Sequence, residues 1–289
     1  MLTISQRLWL IPLLLVGFSC SSDALDEPEP PGVPRIGPVA GTLFAIGGTD
    51  DIALFDQFAA LAGGTNAPIV FIPTGRADDE LPFEDLTGLA RTFRETLGWT
   101  NITVIHTRDP AVADTPEFVA PLQTAAAVFF SGGRQWRFAD AYLGTRTHTE
   151  LQNLLDRGGV IGGTSAGASI LASFLVRGDT ETNTIIEGDH TEGLAFVRDV
   201  GIDQHVAQRG RIFDLIPLIE THPELLGLGI DEDTALLIRG DTLEVVGSGN
   251  VHVTDPNTWT PTSTDQERVF QLRPGARYDL NRRVVMASN

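Results

Sequence analysis

The chain has 289 residues, of which 42% are hydrophobic and 20% are charged, so it can bury the core of one domain with extensions. Its formal net charge of -18 argues against a nucleic-acid partner, because the phosphates would be repelled. The same charge would attract a cationic substrate or simply keep the protein soluble. The 30 glycines are more typical of an α/β enzyme with working loops than of a helical bundle.

The N-terminal segment has the anatomy of an export signal. The stretch "RLWLIPLLLVGFSC" places Arg7 before an apolar run that is too short to span a membrane. The run ends at Cys20, which is the only cysteine of the chain and therefore excludes an intramolecular disulfide. This arrangement resembles a bacterial lipobox, although Gly17 stands where lipoproteins usually carry leucine. We therefore predict a lipoprotein signal peptide over residues 1–19 and lipidation of Cys20.

The alternative is an ordinary secretory signal that is cut near Ser19 or Ala24. Residues 20–38 contain five prolines and almost no large apolar side chain, which predicts a stiff, solvated tether. The globular body then covers residues 39–289. These features predict an exported protein that is anchored to the outer membrane or the cell surface, or else is secreted.

Short apolar segments alternate with amphipathic ones in the first half of the body. The amphipathic stretches 52–62 and 84–97 predict helices, and "TPEF" predicts another that is capped by Thr115. Such alternation predicts a three-layer α/β/α sandwich with a mostly parallel sheet. Past residue 234, short strands joined by glycine turns predict an antiparallel meander at the sheet edge. The predicted buried strands are 41–48, 68–74, 102–106, 125–133 and 159–163.

The stretch "GGTSAGAS" contains the pattern G-x-S-x-G around Ser165, between a predicted strand and a predicted helix over Ala168–Val176. This context is typical of a nucleophile elbow, a tight strand-to-helix turn that exposes a serine hydroxyl. Small neighbours avoid collisions, and the amide of Ala166 would be free to donate to an oxyanion. A second donor would come from Gly132-Gly133, with Gly133 as the predicted residue, or from Gly47-Gly48. The alternative is a tight glycine turn that contains a serine by chance.

A serine nucleophile needs a base that is oriented by an acid. Of the six histidines, His106 ends a predicted buried strand, and the ones at positions 148, 222 and 252 lie in turn-like or exposed polar stretches. The candidates are His190 and His205, which both follow the serine. His205 is the better candidate because it follows the apolar run "LAFVRDVGI", which predicts delivery from the end of a strand. Spacing alone does not identify the acid. Asp203 is so near the histidine in sequence that its carboxylate would rarely reach the ring, so it is better suited to a pocket wall. The candidate acids are Asp179, Glu181, Asp189 and Asp203.

The stretches "GGTSAGAS", "GDTETN", "GIDQHVAQRGR" and "GLGIDEDTALLI", in that order, resemble the cyanophycinases. These enzymes share a serine peptidase family with dipeptidase E, on a fold related to class I glutamine amidotransferases. The likeness covers roughly residues 40–255. It implies a triad in which Ser165 is the nucleophile, His205 is the general base and acid, and Glu181 orients the histidine. It also implies a homodimer.

The resemblance extends to a substrate pocket. It implies that Arg209 and Arg211 hold carboxylates of the substrate, and arginine suits a polyaspartate backbone because its guanidinium binds a carboxylate with two hydrogen bonds. The alternative is that these two arginines lie on a solvated helical face. Two positions depart from the family: Asp214 stands where a third arginine is usual, and Arg134 where Asp or Asn often precedes the pocket glutamine. The implied substrate-binding residues are Gln135, Asp203, Gln204, Arg209 and Arg211.

We therefore expect an exopeptidase that hydrolyses cyanophycin to β-Asp-Arg dipeptides through an acyl-enzyme. The two departures favour an alternative, an aspartyl or isoaspartyl dipeptidase of the dipeptidase E type. An alternative of another class is a lipoprotein that binds an acidic or peptide ligand without turnover. No cofactor or metal is expected, because the histidines lack the spacing of metal ligands.

Overall fold

The computed structural model describes residues 36–49, 51–77 and 86–287. The predicted signal peptide, Cys20 and most of the predicted tether lie outside the described residues. Within those ranges, no helix is both long enough and apolar enough to cross a membrane.

Fourteen strands and nine α-helices form the described body. The strands are β1 Thr42–Ile46, β2 Ile69–Ile72, β3 Ile102–Val104, β4 Ala127–Phe130, β5 Val160–Thr164, β6 Ala172–Phe174, β7 Val197–Gln204, β8 Leu226–Ile230, β9 Thr234–Arg239, β10 Thr242–Gly247, β11 Val251–Thr254, β12 Val269–Leu272, β13 Arg277–Asp279 and β14 Val284–Val285. The helices are α1 Ile52–Leu61, α2 Leu86–Leu97, α3 Pro110–Ala113, α4 Pro116–Thr124, α5 Trp136–Tyr142, α6 Arg146–Asp156, α7 Ala166–Ser169, α8 Ile216–Thr221 and α9 Asp265–Arg268.

The larger sheet has the strand order β14-β13-β10-β9-β1-β5-β4-β2-β3. The five strands from β1 to β3 in this order run parallel, whereas β9, β10, β13 and β14 pair antiparallel at one edge. The predicted mostly parallel sheet with an antiparallel edge is thereby confirmed. The predicted cap of α4 is also present, since the Thr115 hydroxyl accepts a hydrogen bond from the Phe118 N–H at 3.3 Å.

Alternate residues of β1 pack into separate cores on the two faces of this sheet. Phe44 and Ile46 belong to a cluster that includes residues of α1 and α2, among them the fully buried Phe58. Leu43 and Ala45 belong to a larger cluster that includes α4, α5, α6 and the second sheet. The predicted three layers are confirmed, with a second sheet contributing to one of the outer layers.

The second sheet has the order β12-β11-β8-β7-β6, and it was not predicted. The sequence pattern predicts residues 251–254 in the edge meander, but they form β11 and pair with β8 instead. Strands β7 and β8 run parallel and end side by side, with Gln204 opposite Ile230. The residues that follow these two strands therefore emerge next to one another.

The predicted helix over Ala168–Val176 is wrong. Helix α7 covers only Ala166–Ser169, and β6 begins three residues later. The carbonyls that would continue the helix are used elsewhere: Ile170 O accepts from Leu194 N–H at 2.8 Å and Leu171 O from Phe196 N–H at 3.0 Å. Tertiary hydrogen bonds here override a helix-like apolar pattern.

Candidate active site

Ser165 sits on a strained turn between β5 and α7. Its backbone has φ 56° and ψ -117°, and its N–H donates to Ile46 O at 2.9 Å. A left-handed φ is unusual for a residue other than glycine because it strains the backbone. Such strain is found mainly at functional sites, where the surrounding structure holds the residue in place. A Cβ on Gly167 would lie 2.5 Å from Phe130 O, so the turn needs the small residue that the sequence provides. The elbow predicted from the sequence is present.

His205 follows β7 directly and faces the serine. Its Nε2 lies 2.9 Å from Ser165 Oγ, and its own N–H donates to Gly47 O at 2.9 Å. The imidazole packs so closely on the end of β1 that a Cβ on Gly48 would lie 2.1 Å from Cε1. The side chain is 14% exposed, which leaves it accessible to a peptide. The structure thus brings Ser165 and His205 together as predicted.

The acid beside His205 is Glu232 rather than Glu181. Glu232 follows β8, and its Oε1 lies 2.6 Å from His205 Nδ1. The Glu232 N–H donates to Gln208 Oε1 at 2.9 Å, which holds the acid beside the turn that carries the histidine. Glu181 is exposed, and its backbone N–H donates to Asp179 Oδ1 at 3.0 Å within its own loop.

The other candidates for base and acid have different partners. His190 lies between Asp140, at 2.7 Å, and Asp189, at 3.2 Å. Asp189 also accepts from the backbone and the hydroxyl of Thr180. Glu232 could have been found as an acid that follows the buried run "GLGI", but the register between β7 and β8 was needed to place it.

The hydrogen bonds fix the tautomer of His205. An ionised Glu232 can only accept, so Nδ1 carries the proton and Nε2 presents its lone pair to the serine hydroxyl. Burial lowers the pKa of His205 below its usual range; Glu232 opposes this by raising the pKa, while nearby Arg209 and Arg211 add to the lowering. The imidazole is therefore neutral at neutral pH and can act as a base.

Two backbone regions lie beside the serine where an oxyanion would form. Ala166 is the first residue of α7, so its N–H has no acceptor within the helix. A Cβ on Gly132 would lie 3.9 Å from Ser165 Oγ, which places the loop that continues to Gly133 next to the nucleophile. Gly47 is unsuited to be the second oxyanion donor, because its N–H already donates to Thr234 O at 3.0 Å.

Three of the expected pocket residues cluster at the end of β7. Asp203 is fully buried, and Gln204 is only 3% exposed. Within the described part of the chain, the Gln204 Oε1 has no hydrogen-bond partner. Arg211 is 8% exposed, with Nη1 3.5 Å from Gln204 O and 3.8 Å from Asp203 Oδ1. Arg209 is exposed and lies in a turn, where its N–H donates to His205 O.

Asp203 is not free to bind a substrate. Arg177, which is 1% exposed, donates from Nε to Asp203 Oδ1 and from Nη2 to Asp203 Oδ2, both at 2.8 Å. The same Nη2 lies 2.7 Å from Asp214 Oδ2. Sequence reasoning missed Arg177 entirely, because nothing in "LVRGDTETN" distinguishes a buried arginine from a solvated one.

Gln135 and Arg134 hold the chain segment that follows β6. Gln135 is buried and donates from Nε2 to Val176 O at 2.7 Å, while Arg134 donates to Asp179 O. The two positions therefore hold the backbone on either side of Arg177, the residue that binds Asp203. Over the three described ranges, no three His, Cys, Asp or Glu side chains are grouped so that they could hold a metal ion.

Comparisons with known proteins agree with this geometry. Residues 43–246 match the sequence profile of Peptidase family S51. A cyanophycinase of Synechococcus elongatus is 33% identical over 227 residues, which are 75% of this chain and 68% of that protein. A crystal structure of a peptidase from an acI-B1 actinobacterium has a TM-score of 0.61 at 25% identity, covering 83% of this chain and 97% of that one. A Listeria monocytogenes putative peptidase E shares the fold, with a TM-score of 0.53 at 20% identity over 72% of this chain and 99% of that one.

Proposed function

This chain belongs to peptidase family S51 and is a serine-type peptidase, and we propose that its substrate is cyanophycin, the aspartate polymer that carries arginine on its β-carboxyls. The observation that carries the proposal is the hydrogen-bonded chain Ser165–His205–Glu232, with steps of 2.9 Å and 2.6 Å. The choice of cyanophycin as the substrate is supported by the similarity of this chain to cyanophycinases.

In the proposed reaction, Ser165 Oγ attacks a backbone aspartyl carbonyl while His205 Nε2 takes the hydroxyl proton. Glu232 stabilises the imidazolium that forms. The N–H groups of Ala166 and Gly133 would hold the oxyanion, and losing one such donor typically costs about 3 kcal/mol. His205 then gives its proton to the leaving amine as the peptide C–N bond breaks. Water, which His205 deprotonates, hydrolyses the ester of the acyl-enzyme and regenerates the Ser165 hydroxyl, and a β-Asp-Arg dipeptide is produced.

The substrate grip would come from the residues that follow β7. Arg209 and Arg211 would supply guanidinium groups for the carboxylates of the polymer. Gln204 Oε1, which has no partner in the part of the chain that the structure describes, can accept from a substrate N–H. Gln135 would shape this pocket through its bond to Val176.

A second candidate, an aspartyl or isoaspartyl dipeptidase, is favoured by the pairing of Asp203 and Asp214 with Arg177. Two acids that could have received the arginine side chains of the polymer are already neutralised. Of the two arginines after β7, Arg209 is exposed and Arg211 lies 3.8 Å from Asp203, and their guanidinium groups suit the carboxylates of a small acidic peptide.

One assay separates these functions. Purified protein is incubated with insoluble cyanophycin and, separately, with α- and β-linked Asp-X dipeptides, and the products are identified by mass spectrometry. Release of β-Asp-Arg by the wild type and not by Ser165→Ala supports the first function. Cleavage of the dipeptides alone supports the second. Binding without turnover would instead support the ligand-binding alternative.

We also propose that the protein is exported and anchored through lipidated Cys20, and that it forms a homodimer. The support for export is the sequence of the N-terminal segment. Expression of the full chain beside Cys20→Ser, followed by membrane fractionation, tests the anchor: the wild type should pellet with membranes and the variant should not. Light scattering of the purified protein tests the dimer.

A further inference from the structure

The carboxylate of Asp231 joins the end of β8 to two other segments near the candidate active site, the turn after β7 and the start of β11. Asp231 is 4% exposed and lies between β8 and Glu232. Its Oδ1 accepts from Ala207 N–H at 3.0 Å and lies 2.9 Å from His252 Nε2, while its Oδ2 accepts from Asn250 N–H at 3.0 Å. The Asp231 N–H in turn donates to Asn250 O at 3.1 Å, so both its backbone and its side chain are fixed.

These contacts continue the pairing of β7 and β8 beyond the strand ends. Val206 N–H donates to Ile230 O at 3.1 Å, Ala207 N–H to Asp231 Oδ1 at 3.0 Å, and Glu232 N–H to Gln208 Oε1 at 2.9 Å. Three consecutive residues after the histidine thus bond to three consecutive residues that end in the acid. Because His205 and Glu232 sit on the two cross-linked turns, this ladder sets the separation of their side chains.

His252 fixes the central bond of this ladder. It lies on β11, is 2% exposed, and its Nε2 donates to the Asp231 carboxylate. Its Nδ1 has no partner among the described residues, so this bond is the one polar contact that the structure gives the ring. Removing the Asp231 carboxylate would take the acceptors from the N–H groups of Ala207 and Asn250 and the partner from the buried His252 ring, so the contacts that hold the two turns together would be lost.

We propose that Asp231 is a positioning residue for the Glu232–His205 pair and that His252 holds Asp231 in place. The proposal rests on the proposed function only in that Ser165 must be reactive. Asp231 acts through the backbone of the two turns, since within the described ranges its carboxylate is hydrogen-bonded to Ala207, Asn250 and His252 and not to the serine or the imidazole of His205.

The test measures the rate at which a fluorophosphonate probe labels Ser165 as a function of pH, which requires no peptide substrate. Asp231→Asn should slow labelling about 10- to 100-fold, because small displacements of reacting groups carry penalties of this size. Glu232 raises the pKa of His205, whereas burial, Arg209 and Arg211 lower it. A displaced Glu232 should therefore also move the acid limb of the profile to lower pH, in the direction that Glu232→Gln moves it.

Asp255→Asn is the matched control. Asp255 is fully buried and accepts from Asn257 N–H and Arg283 Nη1, but it follows the opposite end of β11, about 16 Å along the strand from Asn250. This variant should lower the melting temperature and leave the pH profile unchanged. An equal pH shift in Asp255→Asn would overturn the proposal, because the effect would then be a general consequence of destabilisation.

A second pair of variants covers the case in which Asp231→Asn does not fold. His252→Gln can retain a donor near the position of Nε2 and should label like the wild type, whereas His252→Leu removes the donor and should slow labelling and shift the acid limb. Wild-type profiles in both variants would overturn the role of His252, and a wild-type profile in Asp231→Asn would overturn that of Asp231. Failure of the wild type itself to label would count against the proposed function instead.

Discussion

Replacing Glu232 by Gln should abolish most of the activity, whereas replacing Glu181 by Gln should leave it unchanged. Glu232 accepts a 2.6 Å hydrogen bond from His205, while Glu181 lies exposed in another loop. The side-chain amide that Glu232→Gln introduces could turn its NH₂ toward Nδ1, which would force the proton onto Nε2. The imidazole would then be unable to accept the proton of Ser165.

The size of the loss follows from the tautomer and from solvent access. A carboxylate-to-amide change in a serine triad typically lowers kcat about 10⁴-fold, because the wrong tautomer predominates. Glu232 is 40% exposed, so water can replace part of its interaction with the imidazolium. We therefore expect a loss of about 10³-fold, which corresponds to roughly 4 kcal/mol of transition-state stabilisation.

The assay is kcat on whichever aspartyl substrate the wild type cleaves, with fluorophosphonate labelling of Ser165 as a substrate-independent check. Melting temperatures of both variants should stay near that of the wild type, because neither side chain is buried. The assignment of the acid is refuted if Glu232→Gln remains within about threefold of the wild type while Glu181→Gln loses activity.

Three other outcomes follow from the structure. Because burial lowers the pKa of His205 and the protonated ring cannot accept from the serine, kcat/KM should fall with decreasing pH through a midpoint below the usual value near 6.5; a midpoint above it contradicts the neutral-base assignment. Gly48→Ala should inactivate the enzyme, because its Cβ would displace the His205 ring, whereas Gly64→Ala, also at positive φ but in open space, should keep kcat. Arg177→Met should cost about 3–5 kcal/mol of unfolding free energy in a denaturant titration, because buried Asp203 loses both hydrogen bonds to Arg177 and keeps only Arg211 at 3.8 Å; a wild-type midpoint would show that the ion pair contributes little.

The sequence predicted what depends on local pattern. The G-x-S-x-G turn, the strand that carries it and the strand end that delivers His205 could all be predicted from short runs of residues. Glu232 could not, because its place beside His205 depends on the pairing of β7 with β8, which no local pattern encodes. For the same reason the local pattern predicts β11 in the wrong sheet.

The predicted helix over Ala168–Val176 failed for a related physical reason. Its apolar spacing fits a helix, but Ala172 pairs with Val197 in the second sheet. A residue that is buried on every side satisfies helical and extended patterns equally well. The choice between them was made by hydrogen bonds to residues more than 20 positions away in sequence, such as that from Leu194 N–H to Ile170 O.

Arg134 and Asp214, the two positions at which we expect a departure from the family, bind one and the same segment. Arg134 binds the carbonyl of Asp179, and Asp214 binds Arg177, whose Nη1 donates to the carbonyls of Asn183 and Thr184. Both side chains therefore hold the segment over residues 177–184, which follows β6 and lies beside the end of β7 where Arg177 binds Asp203.

It follows that the family arginine cannot be restored at position 214 alone. Asp214→Arg would place another guanidinium against that of Arg177 and would also remove one of the two acids that the structure pairs with Arg177. Buried Asp203 would then be the remaining acidic partner of Arg177. We expect this variant to melt at a lower temperature and to gain no activity on cyanophycin, because the repulsion displaces the segment instead of opening the pocket. The combined change Arg177→Met with Asp214→Arg keeps one cation beside Asp203 and should recover part of the lost stability. If Asp214→Arg by itself is stable and cleaves cyanophycin faster than the wild type, the Arg177–Asp214 ion pair does not determine which substrate is preferred. Position 214 would then act directly on the substrate.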